Sequence, residues 1–157
     1  MNIVKGIMAI FVLFLCLSGC GGMGSNHTKD SQLALMKTTD PEPIKLSNSS
    51  SKKVAAIKKE VSRMNEIYDV SVVEGKKDIL VAYKVRHLSR FKMKTIEKNL
   101  KERLEKQYPH DHFVVSSDYK IFLESVRLKE DLDAGKISKK EANKRFRKII
   151  KLSKELT

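Results

Sequence analysis

Apolar residues recur along this chain at helical three- and four-residue steps in four places and cluster in β-rich runs in three more. Val54, Ile57, Val61 and Met64 share one helical face, and the serine run before them supplies an N-cap. Asp69-Val70-Ser71-Val72-Val73 and Ile79-Leu80-Val81-Ala82-Tyr83 are rich in β-formers and are joined by Glu74-Gly75-Lys76-Lys77-Asp78. Together they predict a β-hairpin, with Gly75 expected to take a positive φ in the loop. Met93, Ile96, Leu100 and Leu104 mark a second helix from Ser89 to Tyr108, which Pro109 stops.

His112-Phe113-Val114-Val115-Ser116 predicts a third strand. Asp118 is placed to cap a third helix in which Tyr119, Phe122, Leu123 and Val126 are candidates for the inward face. Gly135 suits a left-handed C-terminal cap for it. Ser138-Lys139-Lys140-Glu141 reads as a capping box, with Ile137 able to staple against Ala142. Ala142, Phe146, Ile149 or Ile150, and Ser153 then form a narrow stripe on a strongly charged last helix. The order α-β-β-α-β-α-α predicts an α+β fold, a small three-stranded sheet with helices on one face. The first strand is expected in the middle, so that the β-α-β crossover passes over it. The third strand is then a candidate edge.

The N-terminus departs from this patterning. Lys5 precedes an uninterrupted apolar run of eleven residues from Ile7 to Leu17. As a helix that run spans about 17 Å, too short for a hydrocarbon core of roughly 30 Å. It is followed by Leu17-Ser18-Gly19-Cys20. This resembles the bacterial lipoprotein signal, whose lipobox places a small residue and then Gly or Ala between a leucine and the cysteine. The resemblance implies cleavage between Gly19 and Cys20 and a diacylglyceryl group on the Cys20 thiol. Each buried lipid methylene contributes about 0.8 kcal/mol, so two acyl chains anchor stably where one does not. Cys16 would leave with the signal and Cys20 would be modified. No free thiol would then remain for a disulfide, a thiolate metal site or a nucleophile.

From Gly21 to Ser51 sustained apolar periodicity is missing. Gly21, Gly22, Gly24, Pro41-Glu42-Pro43 and Ser47-Asn48-Ser49-Ser50-Ser51 make a composition that buries too little to offset ordering entropy. A flexible chain of that length reaches about 30 Å. Leu33-Ala34-Leu35-Met36 is its one apolar interruption. The expected organisation is therefore a signal peptide over 1–19, a lipidated N-terminus and flexible linker over 20–51, an α/β domain over 52–135 and a basic C-terminal helix over 136–157.

The order of parts resembles the YhcN/YlaJ family of sporulation lipoproteins from endospore-forming bacteria. The matching stretches are the lipobox, the hairpin from Val70 to Gly75, the strand-to-helix run from His112 to Asp118, and the Gly135-Lys136-Ile137-Ser138 turn. The chain departs from the pattern at His87-Leu88-Ser89-Arg90, where a more acidic or glycine-containing connection is expected, and in its longer basic terminus. The resemblance implies a protein of the forespore or spore membrane acting in sporulation, germination or outgrowth, and offers no catalytic residues.

Composition fits one domain. The chain has 157 residues, 41% of them hydrophobic, and a formal net charge of +13. His110-Asp111-His112 alone has metal-ligand character, but zinc sites draw three or four ligands, usually from separated segments, and no metal or other cofactor is expected. No Gly-x-Ser-x-Gly elbow, phosphate loop or His-Glu-x-x-His helix occurs, and carboxylates such as Glu97 and Glu102 read as helix-surface partners of Lys101 and Lys106. An enzyme is not expected. From Lys136 to Thr157 nine Lys/Arg face two Glu, a balance of +7. Lys139, Lys140, Lys144, Arg147, Lys148 and Lys151 are the candidates for an anionic surface, with lipid headgroups ahead of wall polymer and nucleic acid last. The expected partners are the outer face of the cytoplasmic membrane through the anchor, and another envelope or spore membrane protein.

Overall fold

The computed structural model describes residues 40–47 and 50–156, which belong to one compact unit over residues 34–157. The proposed signal, Gly19, Cys20 and linker residues 20–39 lie outside the described residues.

The elements are β1 (Ile44–Lys45), α1 (Ser51–Ser62), β2 (Ile67–Glu74), β3 (Asp78–Val85), a 3-10 segment (His87–Lys92), α2 (Met93–Gln107), β4 (His112–Ser116), α3 (Tyr119–Asp133) and α4 (Lys139–Leu156). The fold is α+β, with four helices and a mixed four-stranded sheet in the order β1-β2-β3-β4. β1 is parallel to β2, β2 and β3 form the antiparallel hairpin, and β4 is parallel to β3.

Three expectations are corrected. The sheet has four strands rather than three, because the end of the proline-containing linker pairs with β2 and buries Ile44 and Leu46. The helices cover both faces. Val70, Val72, Ile79, Val81, Tyr83, Phe113 and Val115 pack with α1 and α2, while Val73, Leu80, Ala82 and Val114 pack with α3 and α4. The physical reason is alternation: Ile79 to Tyr83 is apolar at every position, and successive side chains on a strand point to opposite faces. The first strand of the hairpin is not central to the other two; β3 lies between β2 and β4, and α2 joins two neighbouring strands. β4 is an edge of the sheet.

The caps follow the predicted chemistry. Ser50 accepts the Lys52 amide, and Asp118 Oδ1 accepts the Lys120 and Ile121 amides at 2.7 and 3.1 Å. Gly135 takes φ +66°, and the amides of Gly135 and Lys136 close back on the Leu132 and Asp131 carbonyls in a Schellman arrangement. In the capping box Ser138 Oγ accepts the Glu141 amide, while Glu141 Oε2 accepts from the Ser138 amide at 2.8 Å. That bond holds the Glu141 carboxyl below its usual range.

Gly75, by contrast, does not have a positive φ. It is small because Phe146 of α4 rests on it. Two residues expected inside are substantially exposed, Met93 at 38% and Tyr119 at 42%; Ile121, Ser125 and Leu128 are buried in α3 beside Phe122 and Val126. The last helix packs into the molecule through its stripe, with Ala142, Phe146, Ile149, Ile150 and Ser153 buried.

Candidate functional surfaces

Most of the charged groups drawn inward tie one element to another. Lys53 of α1 reaches Glu74 of β2 at 2.9 Å and Asp111 before β4 at 2.8 Å. Burial alone would depress this ammonium, but hydrogen bonds and charge from the two carboxylates outweigh it and hold its pKa above the ordinary value. Lys58 Nζ meets Asp40 Oδ1 at 2.8 Å and the Pro41 carbonyl at 2.7 Å, so it clasps the chain where it enters the domain. Asp40 there adopts φ 68°, a left-handed conformation that aspartate tolerates. Its amide donates to buried Asp69, whose other oxygen pairs with Lys84 at 3.0 Å. The Lys84 ammonium also lies 4.5 Å from the centre of the Phe122 ring. Arg145 crosses from α4 to Asp131 and Glu124 of α3 at 2.5 and 3.4 Å.

His110-Asp111-His112 does not converge. Asp111 turns to Lys53, and His112 Nδ1 contacts Asp78 at 2.9 Å. Among the described residues no group of three or more His, Cys, Asp or Glu side chains is arranged around a common point. The expected pairs of Glu97 with Lys101 and of Glu102 with Lys106 are replaced by Lys98–Glu102 and Lys101–Glu105, both at 3.9 Å. Glu97 instead lies half-buried beside Ser117 and buried Tyr83. Burial raises the Glu97 pKa, with the Lys101 charge opposing. Burial, with the Glu97 charge added, pushes the Tyr83 phenol well up, and its hydroxyl makes no hydrogen bond of regular geometry.

Two cationic surfaces remain. On α4, Lys139, Lys140, Lys144, Arg147, Lys148 and Lys151 are all exposed, while Arg145 is taken up by its ties to α3. The second surface is the 3-10 segment, which sequence reasoning passed over as a helix start. It buries none of its residues. Leu88 is 88% exposed and Phe91 96%, the most exposed large apolar side chains among the described residues. Around them stand Arg86, Arg90, Lys92 and Lys94, all exposed, and no Asp or Glu occurs from Ile79 through Ile96. That acid-free stretch, with two apolar residues outside the Ile96-Leu100-Leu104 stripe, was the available signal.

The 3-10 surface lies at one end of the sheet, whereas Phe146 seats α4 on Gly75 at the other. Asp69 of β2 lies opposite Lys84 of β3, just before the 3-10 segment, and Asp40 bonds to that same Asp69. The chain therefore enters the domain at the end that carries Leu88 and Phe91. Lys148 of α4 lines a shallow hollow with Lys120 and Glu124 of α3.

No protein-family model, curated protein or solved structure matches this chain.

Proposed function

We propose that this chain is a lipoprotein held on the extracytoplasmic face of the cytoplasmic membrane by acyl chains on Cys20, and that its domain is a non-enzymatic interaction module. The observation that carries this reading is Leu17-Ser18-Gly19-Cys20 directly behind an eleven-residue apolar run. No described helix is long and apolar enough to cross a membrane. The arrangement of charge supports the second half. Lys53, Lys58, Lys84 and Arg145 bind elements together, which is structural work, while two cationic surfaces face outward.

On the resemblance to sporulation lipoproteins we assign the protein to the forespore or spore membrane, with a role in sporulation, germination or outgrowth and another envelope protein as its partner. Labelled palmitate tests the anchor. Incorporation in the intact protein and none in Cys20→Ala is the expected result; equal labelling of both overturns it.

A second reading is favoured by the exposed cations of α4. In it, Lys139, Lys140, Lys144, Arg147, Lys148 and Lys151 grip anionic lipid or envelope polymer. Reversing Lys140, Lys144 and Arg147 to Glu should then abolish retention on anionic wall polymer at low salt. Unchanged retention rejects this reading.

A further inference from the structure

We infer that the 3-10 segment between β3 and α2 is a second membrane contact, in which Leu88 and Phe91 enter an anionic bilayer while the surrounding cations stay among the headgroups. The inference rests on the lipoprotein reading for the presence of a membrane, but its own test does not involve Cys20.

Four observations converge on it. Leu88 and Phe91 stand at 88% and 96% exposure on a segment that buries nothing, so the fold gains no packing from them. Burying a Leu or Phe side chain is worth roughly 1.5–3 kcal/mol, and that stabilisation is unrealised while the segment is in water. The collar of Arg86, Arg90, Lys92 and Lys94 is exposed; Arg86 Nε donates to the Asn65 carbonyl at 2.9 Å, and the described residues form no ion pair with any of the four. Long basic side chains lie along apolar surface and lift their charge toward the headgroup level, each adding about 1 kcal/mol near anionic lipid.

The start of α2 points the same way. It has no side-chain cap and no acid in its first turn, and it is preceded by Lys92 and followed by Lys94. Cations at the positive end of a helix dipole are unfavourable, and an anion there relieves that charge. Lastly, the chain arrives from Cys20 at Asp40, at this same end of the sheet. The twenty residues from Cys20 to Asp40 span at most about 70 Å when extended, so anchoring brings this end within reach of the bilayer. A protein partner would meet an apolar tip ringed by cations of one sign; a bilayer rich in anionic lipid matches both parts at once.

The experiment uses the compact unit of residues 34–157, which contains every residue of both cores. The chain has no Trp, so Phe91→Trp introduces a single indole, excited apart from the tyrosines, at a site where the core is untouched. Mixed with vesicles of phosphatidylcholine and phosphatidylglycerol, its emission should shift to the blue, and added salt should reverse the shift. Vesicles of phosphatidylcholine alone should give no shift. Sedimentation of the otherwise native unit with the mixed vesicles should fall about tenfold or more in Leu88→Ser/Phe91→Ser, with an unchanged far-ultraviolet spectrum. Equal sedimentation of this variant, or Phe91→Trp emission that does not move, overturns the inference. If α4 alone holds the vesicle, binding persists in the double variant and is lost on reversing Lys140, Lys144 and Arg147.

Discussion

Phe146 of α4 rests on Gly75 at the tip of the β2–β3 hairpin so closely that a Cβ built on Gly75 would lie 2.7 Å from its Cδ1 and closer still to its Cε1. The contact fastens the last helix to the turn, and it is why a glycine stands in a loop whose backbone needs no positive φ. Gly75→Ala should therefore destabilise the domain, by about 1–3 kcal/mol for overpacking. Denaturant midpoints give the measure. Adding Phe146→Leu should restore part of the loss in Gly75→Ala and lower stability in the native background. A neutral Gly75→Ala removes the argument.

Lys58 ought to control β1 specifically. Its ammonium holds the Asp40 carboxylate and the carbonyls of Asp40 and Pro41, just ahead of the strand. Lys58→Met keeps the stem and removes the charge. Hydrogen bonds to a charged group are worth about 1.5–3 kcal/mol. Amide exchange at Leu46, which donates to the Glu74 carbonyl at 2.8 Å, should accelerate roughly ten- to a hundredfold. The Leu100 amide, deep in α2, should keep its protection. If Leu46 exchange does not change, the clasp is incidental.

The polar group around Tyr83 gives a pH signature. Burial raises the folded-state pKa of Glu97, so protonated Glu97 is favoured by folding. Its contribution is fully present below the ordinary value of 4.5 and is lost as pH rises through the folded value. Glu97→Gln, which cannot ionise, should thus be more stable than the native protein at neutral pH. The advantage should vanish below pH 4.5. Thermal midpoints at the two pH values decide it; an advantage independent of pH contradicts the desolvation argument. Tyr83→Phe, which removes a buried hydroxyl lacking a regular hydrogen bond, should cost little.

Much of the local structure is legible in the residues themselves. Asp118, Gly135 and the Ser138–Glu141 box cap helices as their chemistry dictates, and β4 runs over His112–Ser116 as its pattern predicts. The layering was less legible, although the continuous apolar run of Ile79 to Tyr83 carries it: a strand apolar at both parities needs cover on both faces. β1 could not be read, because Ile44 and Leu46 sit among prolines and serines, and their partners come from β2 and from the core under α3 and α4.

For the surfaces the division is similar. The charge of α4 is plain in composition, but that Asp131 and Glu124 take up Arg145 follows from the packing of α3 against α4. Met93, Tyr119 and Phe91 look alike in a hydrophobicity pattern. What separates them from core residues is the irregular 3-10 turn and the placement of neighbouring elements, which periodicity does not contain.

The central claim is that Cys20 holds the molecule to the membrane, and it is tested most directly by mass spectrometry of the N-terminal peptide from the native membrane-associated protein. The account predicts a chain that begins at Cys20 with a diacylglyceryl group on its sulfur. A chain that still carries Met1, or an unmodified terminus recovered from the medium, would contradict it.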